Sequence, residues 1–210
     1  MAVDETMAET TQSKGSKATN FGILAWIAYG VISASGHWIV AALVALIIAV
    51  AIVAHEFSRD AVKLLDCTTV AYFILTLAIT IVFGPWLFKN YNICLSWGTF
   101  ALVTWAALLA GFPFTIQYAR EQAPAEIWAH PLFIRLNVIL TVVFGLMFSV
   151  NAILGLMALI TGHLLLLGLA IPLSLLVAAI VFSSVFPKGY FQRVAPEWAT
   201  AQVAESAGPE

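Results

Sequence analysis

Charged residues are scarce in this chain of 210 residues. Asp, Glu, Lys and Arg make up 10% of it, whereas hydrophobic residues make up 62%. Soluble domains carry about 25% charged residues, and a soluble domain this apolar would leave a large hydrophobic surface exposed to water. The composition therefore excludes an ordinary soluble protein. The net charge of −2 gives no indication of a nucleic-acid partner.

Long apolar runs occupy most of the chain instead. About 20 apolar residues in a helix cross a bilayer core of ~30 Å. The run 38–54 is apolar on every face, which favours a helix over the alternating pattern of a barrel strand. We predict an all-α polytopic membrane helix bundle with six transmembrane helices, a disordered cytoplasmic tail at 1–20 and a cytoplasmic C-terminal tail at 188–210. The predicted spans are 21–35, 38–57, 67–88, 94–116, 136–160 and 164–186.

The predicted spans place the basic residues very unequally on the two sides of the membrane. Lys89 alone falls on one side of the membrane. The other eight fall on the opposite side, namely Lys14, Lys17, Arg59, Lys63, Arg120, Arg135, Lys188 and Arg193. Because short cytoplasmic loops are enriched in Lys and Arg, both termini are predicted to be cytoplasmic. A signal peptide with its cleavage site at Ser33-Ala34-Ser35 is an alternative for residues 1–35, although Asp4, Glu5 and Glu9 precede it.

The chain has only two cysteines. Cys67 is predicted at the cytoplasmic start of the third span and Cys94 at the outer start of the fourth, about 30 Å apart. A disulfide needs Cα atoms within about 7 Å, so an intramolecular bond is excluded. The spacing fits no metal site either. We expect both thiols to be buried as small hydrophobic side chains.

The connector between the fourth and fifth spans is the most distinctive stretch. Its Pro, aromatic and charged residues predict an ordered element, and Pro113 near the end of the fourth span would leave a backbone group for Thr115 or Gln117 to satisfy. Guanidinium groups here could bind a lipid phosphate or a protein partner. The alternative is a rigid interfacial connector whose arginines only set the topology. The candidate binding residues are Tyr118, Arg120, Glu121, Trp128, His130 and Arg135.

A second charged stretch, His55-Glu56-Phe57-Ser58-Arg59-Asp60, ends the second span. It has two interpretations: a proton relay or cation site at the membrane surface, or a helix end with solvated charges. It is not a zinc-protease motif, because Arg59 stands where the second His would be needed.

No Asp, Glu, Lys or Arg is predicted at mid-depth in any span. The deepest polar candidates are Thr141, Ser149 and Asn151 in the fifth span. They would either hydrogen-bond between helices or, with a break at Pro172, line a path for a small neutral or lipidic solute.

The order of these features resembles the bacterial intracellular septation protein A type. The shared features are a short first helix and tight turn, a second helix ending in charges, a third ending in Phe-Gly, and a Pro-rich connector with Trp128 before Leu136-Asn137. The segment FPFTIQYARE departs from that pattern, which suggests a distinct branch. The resemblance implies an inner-membrane envelope protein linked to cell-wall synthesis or division, without defined chemistry.

The sequence contains no nucleophile–base pair, Gly-rich phosphate loop or zinc-type cluster. We therefore predict no enzyme activity, no cofactor and no metal, and expect a non-enzymatic inner-membrane protein that supports envelope or division machinery through lipid and protein contacts. A transporter or channel and a membrane enzyme acting on a lipid headgroup are the alternatives. A homo-oligomer is left open.

Overall fold

The computed structural model describes residues 22–59, 61–121, 123 and 125–206, with the backbone alone at 126, 188–189 and 191–206. Throughout these residues the regular structure is helical, as predicted. The helices are α1 (Ile23–Ala34), α2 (Trp38–Phe57), α3 (Leu64–Phe83), α4 (Trp86–Leu109), α5 (Thr115–Arg120), α6 (Pro131–Thr161) and α7 (Ile171–Ser206), with a 3-10 turn at Ala125–Ile127 and a π-helical turn at Leu166–Ala170. The predicted tail at 1–20 lies outside the described residues.

Five of these helical segments are long and apolar enough to cross a membrane: α2, α3, α4, α6 and the segment Leu166–Pro187. The shorter apolar helix α1 has 12 residues, or about 18 Å of rise. The chain is thus a helical membrane bundle, and the predicted fold class is confirmed.

The boundary between α3 and α4 differs from the prediction. The third span was expected to run to residue 88, but α3 ends at Phe83 because Gly84 has a φ of 79°, which stops the helix. Pro85 then precedes the first turn of α4. Lys89, expected in a loop, therefore lies in that first turn.

The end of α4 also differs. The fourth span was predicted as 94–116, but α4 ends at Leu109 and Gly111 takes a φ of 79°. Pro113 therefore lies beyond the helix, and the N–H that it lacks is not part of the α4 hydrogen-bond ladder. Thr115 and Gln117 belong instead to a separate short helix, α5.

The last two long helices extend beyond their predicted ends. α6 begins at Pro131 rather than 136, with the His130 side chain accepting a hydrogen bond from the Leu132 N–H. α7 continues to Ser206, so the predicted tail is helical as far as that residue. The prediction ended the span at 186 because the apolar composition ends near Pro187. Hydropathy cannot detect a helix that continues into polar sequence.

Small residues allow the closest helix packing. Ala41, Ala45 and Ala49 are buried along one face of α2, between α1 and α3. Gly155 of α6 lies against the backbone of Cys94 in α4, where an added Cβ would be 2.9 Å from the Cys94 nitrogen. Such close approaches are typical of membrane helices, whose association depends on van der Waals contact.

Both cysteines are free thiols, which confirms that they form no disulfide. Their expected burial is wrong, because Cys67 is exposed in the first turns of α3 and Cys94 is only half-buried in α4.

Candidate functional site

The connector folds back into the bundle. Pro113, Phe114, Thr115 and Ile116 are all buried. The Thr115 hydroxyl donates to the Asn137 carbonyl at 2.8 Å and lies 2.9 Å from the Thr141 hydroxyl. Thr141 is about 15 Å along α6 from its first residue. The predicted ordered element is therefore confirmed, and it is inserted beside α6.

Gln117 fixes the connector to the start of α3. Its side-chain oxygen accepts a hydrogen bond from the Leu64 N–H at 2.8 Å. The first N–H groups of a helix have no partner within the helix, so this amide acts as a cap supplied from 53 residues along the chain. α5 and α3 are thereby joined at one end of the bundle.

Lys63, immediately before α3, is the buried centre of a charged cluster. Its ammonium lies 3.1 Å from the Glu56 carboxylate and 3.0 Å from that of Glu121, and it is 5.2 Å from the centre of the Tyr118 ring. The Lys63 N–H also donates to Glu56 at 3.2 Å. Only 7% of Lys63 is exposed. One ammonium thus joins the end of α2 to α5.

Asp66 adds a third carboxyl group to this cluster. It is 9% exposed, and its carboxyl lies close enough to Glu56, Lys63 and Glu121 to interact with their charges. It also packs directly against Gly22 at the start of α1, where an added Cβ would overlap its Oδ1. A negative charge at a helix N-terminus is stabilised by the helix dipole. We call Glu56, Lys63, Asp66 and Glu121 the lysine cluster.

The lysine cluster holds its ammonium in the charged form. Burial lowers the pKa of Lys63, but hydrogen bonds to Glu121 and Glu56, together with their negative charges, outweigh burial and raise the pKa above its ordinary value. The pKa of the neighbouring Tyr118 phenol is raised by burial and then by the charges of Asp66, Glu56 and Glu121. Among the described residues, no group of three or more His, Cys, Asp or Glu side chains is arranged to hold a metal ion.

The six connector candidates separate into three pairs. Glu121 is a member of the lysine cluster, although it is exposed, and the Tyr118 ring packs beside Lys63. Arg120 is exposed and its guanidinium lies 5.2 Å from the Trp128 ring, a cation–π distance. Arg135, in the second turn of α6, is also exposed.

The other two connector candidates have local structural contacts. Trp128 donates its indole N–H to the Ala123 carbonyl at 3.0 Å, which closes the turn. His130 caps α6 through its Nδ1. We call Arg120, Trp128 and Arg135 the connector surface. No carboxylate among the described side chains pairs with either arginine.

The three intramembrane candidates are not brought together. Thr141 contacts Thr115. Ser149 accepts from the Trp105 indole at 3.0 Å, and so joins α6 to α4. Asn151 donates to the Pro172 carbonyl at 3.3 Å, just after the π-helical turn at Leu166–Ala170. Each makes a separate contact between α6 and a neighbouring segment.

The charged end of α2 also contains both exposed and largely buried side chains. His55 and Arg59 are exposed, as expected for a solvated helix end, while Asp60 lies outside the described residues. Glu56 is different, because its side chain is 12% exposed and paired with Lys63. Solvation was thus the wrong interpretation for Glu56.

Neither Lys63 nor Asp66 was identified from the sequence as a member of a charged cluster. Lys63 was only counted as a positive charge in a loop, and Asp66 was not considered. One available signal was an acidic residue at the edge of an apolar run, where an unpaired charge is costly. The other signal was the position of Asp66, three residues after Lys63.

Comparison with protein-family models, with curated proteins and with solved structures finds no match for this chain.

Proposed function

We propose that this is a non-enzymatic protein of the bacterial inner membrane that supports cell-envelope or division machinery by binding lipid headgroups or protein partners at the connector surface. One observation carries the proposal. In the connector, Thr115 and Gln117 form hydrogen bonds with the bundle and Glu121 forms an ion pair with it. Arg120 and Arg135, in contrast, remain exposed.

The chemistry of the connector surface suits an anionic ligand. A guanidinium presents a planar set of donors that matches phosphate and carboxylate oxygens. Trp128 supplies an aromatic ring of the kind found at headgroup depth. Near an anionic leaflet each basic residue contributes about 1 kcal/mol to attraction. Because the connector is packed into the bundle, little conformational entropy is lost when it binds.

The link to the envelope and to division rests on the resemblance to the septation protein A type. The bacterial inner membrane and the cytoplasmic termini follow from that resemblance and from the distribution of Lys and Arg. The helical architecture supports a multi-pass location.

The test is native mass spectrometry of the full-length protein after gentle extraction from its own membranes. We expect retained anionic lipid or a copurifying protein, and at least about tenfold less of it in a variant with Arg120→Ala and Arg135→Ala, since two charge-assisted contacts are lost. Lys89→Ala is the matched control, because Lys89 is exposed but distant in sequence from the connector. Retention equal to that of the unmodified protein, or no ligand in any sample, would contradict the proposal.

A second candidate function is passage of a small neutral solute beside Asn151. It is favoured by the Asn151 side-chain oxygen, which is fully buried and has no hydrogen-bond partner among the described residues, beside a π-helical turn. Glycerol permeability of proteoliposomes tests it. Permeability above that of empty vesicles, lost in Asn151→Leu, would support this function, and permeability equal to that of empty vesicles would exclude it for glycerol-like solutes.

A further inference from the structure

The helix α6 is longer than the bilayer core, so its ends lie among lipid headgroups. It has 31 residues and rises about 46 Å, whereas the hydrocarbon core is ~30 Å thick. When α6 is centred on the core, it extends about 8 Å beyond the core at each end. Arg135 is in the second turn of α6, about 6 Å from its first residue. The exposed Arg135 side chain therefore lies at the edge of the core, where lipid phosphates are found.

Arg120 lies near the same corner of the bundle. The Thr115 hydroxyl donates to the Asn137 carbonyl at 2.8 Å, which joins the start of α5 to α6. Asn137 is two residues after Arg135, and Arg120 ends the six-residue helix that Thr115 begins. Helix geometry thus places the Cα atom of each arginine within about 9 Å of the Cα atom of a residue in this contact. The Arg120 guanidinium is oriented by the Trp128 ring, 5.2 Å away.

Large apolar side chains are exposed beside these arginines. Phe112, in the connector, is 45% exposed, and Ile134, adjacent to Arg135, is 41% exposed. A small soluble anion would pair with the guanidinium groups and leave these apolar side chains uncovered. A phospholipid supplies both a phosphate and hydrocarbon chains. The combination of exposed groups therefore favours a lipid as the ligand of the connector surface.

The number of positive charges narrows the class of lipid. Arg120 and Arg135 carry two charges, and no carboxylate among the described side chains pairs with them. One phosphodiester neutralises only one of these charges. A headgroup with two phosphodiesters joined by a glycerol, as in cardiolipin, neutralises both. It also provides a separate phosphate for each guanidinium, which suits two arginines that come from different helices.

We propose that the connector surface binds a phospholipid with two phosphodiester groups, of the cardiolipin type, from the leaflet on the connector side of the membrane. Arg135 binds one phosphate, and Arg120, held against Trp128, binds the other. The acyl chains pass over Ile134 and Phe112. This inference rests on the proposed function, because it assigns a lipid to the same surface.

Native mass spectrometry of the full-length, delipidated protein tests the assignment, with one lipid added at a time. Cardiolipin should bind at least about tenfold more tightly than phosphatidylglycerol, because its second phosphate adds a charge-assisted contact. Arg120→Ala and Arg135→Ala should each lose most of this preference, whereas Lys89→Ala should keep it. Equal affinity for the two lipids would overturn the assignment. A preference that survives both arginine substitutions would overturn it too, since the additional acyl chains of cardiolipin would then be its cause.

The lipid assignment and the proposed function can fail separately. A protein that copurifies from native membranes and depends on Arg120 and Arg135, without a preference for cardiolipin in the titration, would overturn the lipid assignment and leave the proposed function standing. A preference in the titration that depends on both arginines, with nothing retained from native membranes, would support the lipid site and contradict the proposed function.

Discussion

At Lys63 one ammonium holds two carboxylates from distant parts of the chain, Glu56 from α2 and Glu121 from the connector. Its stem is also buried and its charge lies near the Tyr118 ring. Removing one partner from a buried ion pair leaves the others without compensation, which costs more than the pair itself contributes.

Lys63→Met should therefore lower the free energy of unfolding by about 2–4 kcal/mol. The raised pKa of Lys63 means that its contribution is fully present below the ordinary value of 10.5 and is lost only as the pH rises through the higher, folded-state value. Thermal unfolding in detergent should show a loss relative to Lys89→Met that is constant between pH 6 and pH 9. A Lys63→Met protein as stable as Lys89→Met would show that the ion pairs contribute nothing.

Gly22 offers a second test at residue scale. An added methyl group at Gly22, the residue before α1, would overlap the Asp66 carboxyl, whereas Gly30, inside α1, has nothing within 4 Å of its Cβ position. We expect Gly22→Ala to destabilise by about 1–3 kcal/mol through overpacking. Gly30→Ala should be neutral or stabilising by up to about 1 kcal/mol through helix propensity. Equal melting temperatures for the two variants would show that Asp66 does not pack against α1.

At the scale of elements, the structure depends on where helices stop and how closely they approach. Hydropathy indicated six spans, and the bounds of α2 agree with the prediction. It misplaced the ends of α3 and α4 because Gly84 and Gly111 stop helices within apolar sequence, where hydropathy does not change. The insertion of α5 also could not be predicted, since Thr115 and Gln117 find partners on α6 and α3 that lie far away in sequence.

The contact between α4 and α6 at Gly155 provides a prediction about packing. A methyl group at Gly155 would meet the Cys94 backbone, which cannot rotate away, so the two helices must separate. Gly155→Ala should cost about 1–3 kcal/mol. Gly98→Ala, on the facing helix, meets only Ala152 at an ordinary 3.9 Å and is the matched control. Unfolding in detergent that shows no difference between the variants would contradict this close approach.

The cap that Gln117 places on α3 gives a prediction about docking. Gln117→Leu keeps the approximate volume but leaves the partly buried Leu64 N–H without its acceptor, which costs about 1 kcal/mol. Limited proteolysis should cut the connector faster in Gln117→Leu than in the unmodified protein. Gln117→Asn retains a neutral amide oxygen on a side chain one methylene shorter and should restore part of the resistance. Equal cleavage of both variants would mean that the hydrogen bond does not hold the connector.

At the scale of the whole molecule, the contacts support the grouping of loops inferred from charge. The start of α1, the loop before α3 and the connector meet at the lysine cluster, and these segments were all assigned to the cytoplasmic side. The sequence could predict this shared side because the distribution of Lys and Arg acts over whole loops. It could not predict the cluster itself, which depends on the inward direction of Glu56, Lys63 and Glu121.

The central claim is that the lysine cluster and the connector surface share the cytoplasmic side, opposite Lys89. The direct measurement is labelling of single cysteines by a membrane-impermeant thiol reagent, in a protein with Cys67→Ser and Cys94→Ser. The exposed positions Arg59, Arg135 and Lys89 each receive one cysteine. Arg59→Cys and Arg135→Cys should react only in inverted vesicles, and Lys89→Cys only in intact cells. Reaction of Arg135→Cys from the same side as Lys89→Cys would contradict the claim.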